Sequence, residues 1–373
     1  MEIPMKLRSQ SLKCFGRAAL LLMTAVVIVF AQKLPSPTRM WSVGPLTKSE
    51  PVMGIAFGAG GASVTAPHVD SQTISTFLAT RSVVFAGDRI VLALTVGMRK
   101  VEGVQGQQRV YQLMSLDANT GEVKNTREIF AFRSLFATND AHVIVSGENV
   151  LRLTPDLKDD GSFDDHATGH THGRMENVSP DGSTLGNMTR PGFELVDART
   201  LKAKQLTASP VVDTSVSSKG FVTDNAYWTR DYPKDHGFVT YTDAAGQHLL
   251  YHGKCGGRPQ FLSDELVLEP GCKSPLMIDT HGNLVRTLSV NGKFSYAGVS
   301  QNSKRFALQI ASFSSLHRIK RERFVIYSID TGEPVAEVTP EEPAEEQSWT
   351  AFSPDGSMFV VGSPLKLTLY RLT

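Results

Sequence analysis

Cysteine is scarce in this chain: 3 residues in 373. A disulfide-stapled scaffold needs far more, so a hydrophobic core must hold the fold. Tryptophan is equally rare, with Trp41, Trp228 and Trp349 as the full set, too few for a quinone-dependent repeat enzyme with one indole per unit. No sign of charge dominates, since 38 Lys plus Arg face 37 Asp plus Glu. That balance excludes a dedicated nucleic-acid surface, which requires a strong basic excess. There is no Gly-x-Ser-x-Gly elbow, no Cys-x-x-Cys-His haem attachment and no phosphate-binding loop, so the common signatures of hydrolases, haem proteins and nucleotidases are missing.

One long apolar run exists, over residues 18–30, preceded by Lys6, Arg8, Lys13 and Arg17 and followed by Ala31. A basic stretch, a short apolar core and a small residue at the exit describe a secretory signal peptide over residues 1–31. The run is short for a bilayer span, so no stable membrane insertion is expected once the leader is removed. Cys14 precedes the apolar core and is misplaced for lipidation. The expected location is periplasmic or secreted. Two cysteines then remain, Cys255 and Cys272, and in an exported protein an even count invites one disulfide between them, with a stabilisation of about 3 kcal/mol from loop closure.

What fills the rest is repetition. Seven times an apolar residue is followed three positions later by a turn-forming or charged residue that opens an apolar run. The pairs are Phe85/Asp88, Phe136/Asn139, Val178/Asp181, Val216/Lys219, Phe261/Asp264, Val299/Asn302 and Phe352/Asp355, spaced 38 to 53 residues apart. A period near 40–45 with strand–turn–strand content predicts an all-β fold, a seven-bladed β-propeller with one four-stranded sheet per repeat. The last unit shows the grammar: Trp349–Phe352 is an inner strand, Pro354-Asp355-Gly356 a tight turn, and residues 357–363 and 367–372 are second and third strands. It stops there. Closing the ring requires a fourth strand from the mature N-terminus, placed within residues 40–57, because an open ring leaves unpaired sheet edges. Residues 32–80 are read as the segment carrying that strand, and 81–373 as the propeller.

The turns Ser179-Pro-Asp-Gly182 and Ser353-Pro-Asp-Gly356 resemble those that end the inner strands of WD40-like and related bacterial propellers. The resemblance covers roughly residues 81–373 and implies the fold without implying an activity. The Trp-Asp pair and Gly-His signature of eukaryotic WD40 repeats are absent.

Excess length marks where function is to be sought, since loops carry binding on a rigid scaffold. Units one, four and six are longer than the others between their second and third strands. Further length follows fourth strands, at residues 58–80, 164–176 and 341–348. In an up-and-down blade all these connections leave one face of the disc. Unit four offers Tyr227, Trp228, Arg230 and Tyr232, suited to stacking on a peptide or sugar, and Arg258 joins this candidate binding set. Unit six offers His317-Arg318-Ile-Lys320-Arg321-Glu-Arg323, read as a solvated basic face. His166, His170 and His172, with Asp164 and Asp165, are candidate ligands for a divalent transition metal, although no cofactor is required by any motif. Two functions stay open: an exported binding module for a protein, peptide or glycan, and an extracytoplasmic metal-assisted hydrolase or lyase. The missing enzyme motifs favour the first.

Overall fold

The computed structural model describes residues 34–43, 73–74, 79–100, 107–130, 132–147, 150–163, 174–189, 192–207, 214–224, 237–253, 257–270, 273–313, 319–341, 348–363 and 366–372. Among them every regular element is a strand, and no helix is long and apolar enough to cross a membrane.

β1 (Thr38–Val43) opens the chain and belongs to the last blade. Blade 1 holds β2 (Thr73–Ile74), β3 (Ala79–Ala86), β4 (Arg89–Lys100), β5 (Gln107–Asp117) and β6 (Val123–Phe130). Blade 2 is β7 (Ser134–Ala137), β8 (Val143–Ser146), β9 (Val150–Leu153) and β10 (Asp159–Phe163). Blade 3 is β11 (Arg174–Val178), β12 (Thr184–Met188), β13 (Phe193–Asp197) and β14 (Ala203–Thr207). Blade 4 is β15 (Thr214–Val216), β16 (Gly220–Asp224), β17 (Gly237–Asp243) and β18 (Gly246–Gly253). Blade 5 is β19 (Gln260–Ser263), β20 (Leu266–Glu269), β21 (Leu276–Asp279) and β22 (Leu284–Thr287). Blade 6 is β23 (Lys293–Val299), β24 (Arg305–Phe313), β25 (Ile319–Ser328) and β26 (Pro334–Val338). Blade 7 is β27 (Trp349–Phe352), β28 (Met358–Gly362) and β29 (Leu367–Arg371), completed by β1 in the order β1-β29-β28-β27.

The seven-bladed propeller, its ring closed by an N-terminal strand, is therefore what forms. β1 lies antiparallel to β29, with Thr38 opposite Arg371 and Val43 opposite Leu367. It begins two residues earlier than the sequence suggested, and nothing of residues 44–57 is described. Trp41 reaches beyond its own blade, donating its indole N–H to the carbonyl of Ala118 in blade 1 at 2.9 Å. The first strand of each blade faces the axis: β3 contacts β7, β7 contacts β11, and β27 returns to β3.

Alternation along the strands gives a sheet two apolar faces, and in blades 1, 2, 3, 4 and 7 both are buried against neighbours. Leu92, Leu94 and Leu116 of blade 1 share a cluster with Val360, Leu367 and Leu369 of blade 7. Val91, Ala93 and Leu113, one residue out of phase with these, pack instead on Leu135, Val143 and Leu153 of blade 2. The same two-sided sharing joins blades 2 and 3, 3 and 4, 4 and 5, and 6 and 7.

Turn chemistry repeats as closely as packing. In blade 7 the Ser353 hydroxyl donates to Asp355 Oδ1 at 2.6 Å and accepts the Met358 N–H at 2.9 Å. Blade 3 repeats this through Ser179, Asp181 and Thr184, and blade 6 through Ser300, Asn302 and Arg305. In blade 2 the equivalent pair is Thr138 and Asp140, 2.6 Å apart. The expected anchor Phe136/Asn139 is thus one residue out of structural register; the strand ends at Ala137, and a hydroxyl follows it as in the other turns.

A chain lacking residues 38–43 should lose cooperative unfolding or self-associate, because β29 is left with an open edge and the blade 1/7 core loses Trp41 and Val43. Sedimentation equilibrium and thermal unfolding read this, and a monomer melting as sharply as the full chain would overturn it.

The turn carboxylates make the fold sensitive to acid. Asp117 is held below its ordinary value of 3.8 chiefly by the backbone N–H groups of Thr120 and Asn119. For Asp355 burial pushes the carboxyl up from 3.8, but hydrogen bonds from Ser353 and Ser357 outweigh it and the net shift is downward. A folded-state value below the unfolded one stabilises the fold above about pH 4, and that contribution is lost as pH falls through the folded-state value. Asp355→Asn should therefore cost about 1 kcal/mol at pH 7 and give a shallower loss of stability in acid titrations followed by circular dichroism.

Candidate binding face

Strand direction alternates within every blade, so the first-to-second and third-to-fourth connections leave one face of the ring. The second-to-third and outer-to-next-inner connections leave the other. The first is the turn face, the second the hairpin face.

The turn face is short and cross-linked. Asn302 Nδ2 of blade 6 donates to the Asp355 carbonyl of blade 7 at 2.7 Å, and Ser218 N of blade 4 donates to Asp264 Oδ1 of blade 5 at 2.8 Å. Gln301 goes further. Its Nε2 donates to the Thr138 carbonyl at 3.4 Å, joining blade 6 to blade 2, which are not neighbours in the ring. A Cβ on Gly182, whose φ is +74°, would lie 2.8 Å from both Gln301 Nε2 and Asn139 N. The inner turns therefore converge, and Gln301 reaches across the axis between them.

One cluster of charge on this face is paired and structural. Arg152, with 5% of its side chain exposed, binds Asp140 and, at 2.7 Å, Asp160. His142 Nε2 lies 3.2 Å from Asp160. Burial pushes the Asp140 carboxyl up, but the Thr138 hydroxyl and the Arg152 guanidinium outweigh it and hold the group below its ordinary value. Arg152→Met leaves two carboxylates without their cation. It should lower stability by about 3 kcal/mol in urea unfolding, and a loss under about 1 kcal/mol would contradict the pairing.

The hairpin face is elaborated. β4 has 12 residues and β24 has 9, against 5 for β28 of the blade between them. At about 3.3 Å per residue, β4 overtops β28 by about 23 Å and β24 by about 13 Å. The excess length in units one and six, expected as loop, is spent on strands that continue their pairing: Lys100 still opposes Gln107, and Phe313 opposes Ile319. β2 adds a third strand to the taller wall, pairing Thr73 with Arg99. Blade 7 is thus the low floor between two walls.

A cleft of about 640 Å³ opens on blade 6 at this face. Gly292, Ile310, Ala311 and Pro340 give it an apolar lining, and Arg321 and Arg323 of β25, on either side of Glu322, give it charge. Glu322 is 4% exposed, in phase with the buried Phe324 and Ile326 on the side toward blade 7. It accepts hydrogen bonds from Gln309 and, at 2.7 Å, from the Ser348 hydroxyl. Ser295 on the inner strand donates to Gln309 at 2.9 Å, so the chain of bonds runs from the axis to the blade 6/7 seam. Arg323 pairs with Glu337 at 2.7 Å. At the rim, Glu341 binds Lys366 at 3.1 Å and also Arg39 of the closing strand. Its carboxyl is held below the ordinary range, first by the Lys366 hydrogen bond and then by the charge of Arg39.

Most residues singled out from the sequence lie outside the described residues: Tyr227, Trp228, Arg230, Tyr232, His166, His170, His172, Cys255 and Cys272. Arg258 is described and exposed, just before β19. Among the described residues no group of three or more His, Cys, Asp or Glu side chains is arranged to hold a metal ion. The blade 6 cleft was missed because Arg321-Glu322-Arg323 reads as solvated charge. The available signal was the phase of Glu322, which falls on the core-facing positions of its strand.

Neither a protein-family model nor a curated protein matches the chain. Among solved structures it is similar to a chain in the crystal structure of a mitotic checkpoint complex, at 14% identity and a TM-score of 0.50, covering 91% of this chain and 98% of that one. It also matches the Dos1 propeller structure, at 12% identity and a TM-score of 0.42, covering 81% of this chain and 94% of the other. The first likeness is one of fold alone.

Proposed function

We propose that this protein is an exported binding module that engages a protein or peptide partner through its hairpin face and carries out no chemistry there. The observation that supports this most directly is the pair of overbuilt hairpins, β4–β5 and β24–β25, rising from the blades on either side of blade 7. A scaffold needs neither. Strands of 4 or 5 residues suffice in blades 2, 3 and 5, and extended hairpins beside a low floor give walls to an elongated ligand. Rigid strands also cost less ordering on binding than loops do. In sequence the aromatic set of unit four, Tyr227, Trp228 and Tyr232, falls between β16 and β17, in a second-to-third connection. The mitotic checkpoint chain comes from a protein assembly, but that likeness carries the fold alone. Export is proposed from the basic-then-apolar leader over residues 1–31.

The test is to replace residues 98–109 with Asn-Gly, which closes the hairpin at the Gly97/Val110 pair with a two-residue turn. Cross-linking in the native host, read by mass spectrometry, should show partners of the full protein that the shortened one loses, with thermal stability nearly unchanged. Trp228→Ala should weaken the same contacts. Identical cross-links from both proteins would overturn the proposal, as would a metal-dependent turnover abolished by replacing His166, His170 and His172.

A further inference from the structure

We infer that the cleft on blade 6 receives a carboxylate of an acidic, extended peptide segment. The inference rests on the binding role just proposed and names the chemistry of one part of that surface.

The volume of about 640 Å³ suits a few side chains of a bound segment. Arg321 and Arg323 stand two apart on β25, so they project to the same side of the strand, roughly 7 Å from each other. Their situations differ. Arg323 is neutralised by Glu337 at 2.7 Å, whereas Arg321 is exposed and has no ion pair among the described residues. The acidic groups nearby are already engaged. Glu322 turns to the opposite side and is held by Gln309 and Ser348, and Glu341 by Lys366 and Arg39. One guanidinium is left over at an apolar cleft. Ile310, opposite Arg323 in the β24–β25 register and so on the arginine side of the sheet, and Pro340 exclude water from one side of an ion pair formed there, and this strengthens it relative to a fully solvated one.

The sequence that joins β24 to β25 has the same sign of charge. Between β24 and the middle of β25 the chain carries His317, Arg318, Lys320, Arg321 and Arg323 against Glu322 alone. A planar monoanion matches a single guanidinium bidentately. A nucleic-acid backbone would call for a run of free cations, and the formal net charge of the whole chain is only +1.

The test uses the full protein and fluorescence anisotropy at low and moderate salt. The probes are a labelled peptide of alternating Glu and Ala, its Gln-for-Glu twin, and a short oligothymidylate. The Glu peptide should bind with an affinity that falls as salt rises, and the Gln twin at least tenfold more weakly. Arg321→Gln should weaken the Glu peptide at least fivefold, with Arg321→Lys in between. Arg199→Gln removes the same charge from an exposed turn between β13 and β14 on the opposite face and should change nothing. Equal binding of both peptides, an unaffected Arg321→Gln protein, or equal competition by oligothymidylate would each overturn the inference. If the Glu peptide fails to bind while the hairpin-dependent cross-links persist, this assignment falls and the binding role stands.

Discussion

No blade of this ring owns its core. At the seams described above, the apolar side chains of one face complete their cluster only with those of the next blade. Leu92 and Leu94 look toward blade 7 while Val91 and Ala93 look toward blade 2. Removing a blade would therefore expose two seams at once. At roughly 25 cal/mol per Å² of apolar surface, that exposure exceeds what a single small sheet can offset from its own hydrogen bonds. Every other feature, from the closing strand to the shape of the two faces, follows from keeping all the seams shut.

That requirement divides the two faces. On the turn face, connections are short and hold each other: a hydroxyl and a carboxylate or amide fix the inner turns of blades 2, 3, 6 and 7, Asn302 and Ser218 bridge neighbours, and Gln301 spans the axis. Rigidity there leaves the opposite face free to vary. Blades 1 and 6 have used that freedom to extend their middle strands, and blade 7 has not. β1 sits beside this contrast, packed between the β5–β6 turn of blade 1 and the blade 6 rim. Trp41 bonds Ala118 on one side, and Arg39 bonds Glu341 on the other. Closure and the candidate binding cleft thus share residues.

The repeat, the blade number and the origin of the last strand were legible because they depend on period and turn chemistry, which are local. Ser179-Pro-Asp-Gly182 and Ser353-Pro-Asp-Gly356 announce their turns, and three C-terminal strands demand a fourth from elsewhere. The slip at Phe136/Asn139 arose because two apolar residues, Phe136 and Ala137, could each end the strand, and only the Thr138–Asp140 hydrogen bond decides between them. The hairpins of blades 1 and 6 were visible as extra length, but length alone does not say whether a strand continues or a loop begins. The cleft was harder. Its defining features are a carboxylate on a core-facing position and a guanidinium with no ion pair among the described residues, and both depend on neighbours distant in the sequence, such as Gln309 and Ser348 for Glu322.

Closure between the two ends of the chain also has a consequence in time. β1 must wait for β29, and 324 residues separate Val43 from Leu367. At a synthesis rate of about 5–20 residues per second, that wait is on the order of half a minute. Throughout it, Met40, Trp41 and Val43 have no groove to enter, and the seam between blades 1 and 7 does not exist. A ring built this way stays incomplete until its final strand arrives. The nascent protein is thus kept open-edged until synthesis is nearly over, and folding becomes decisive only at the last blade.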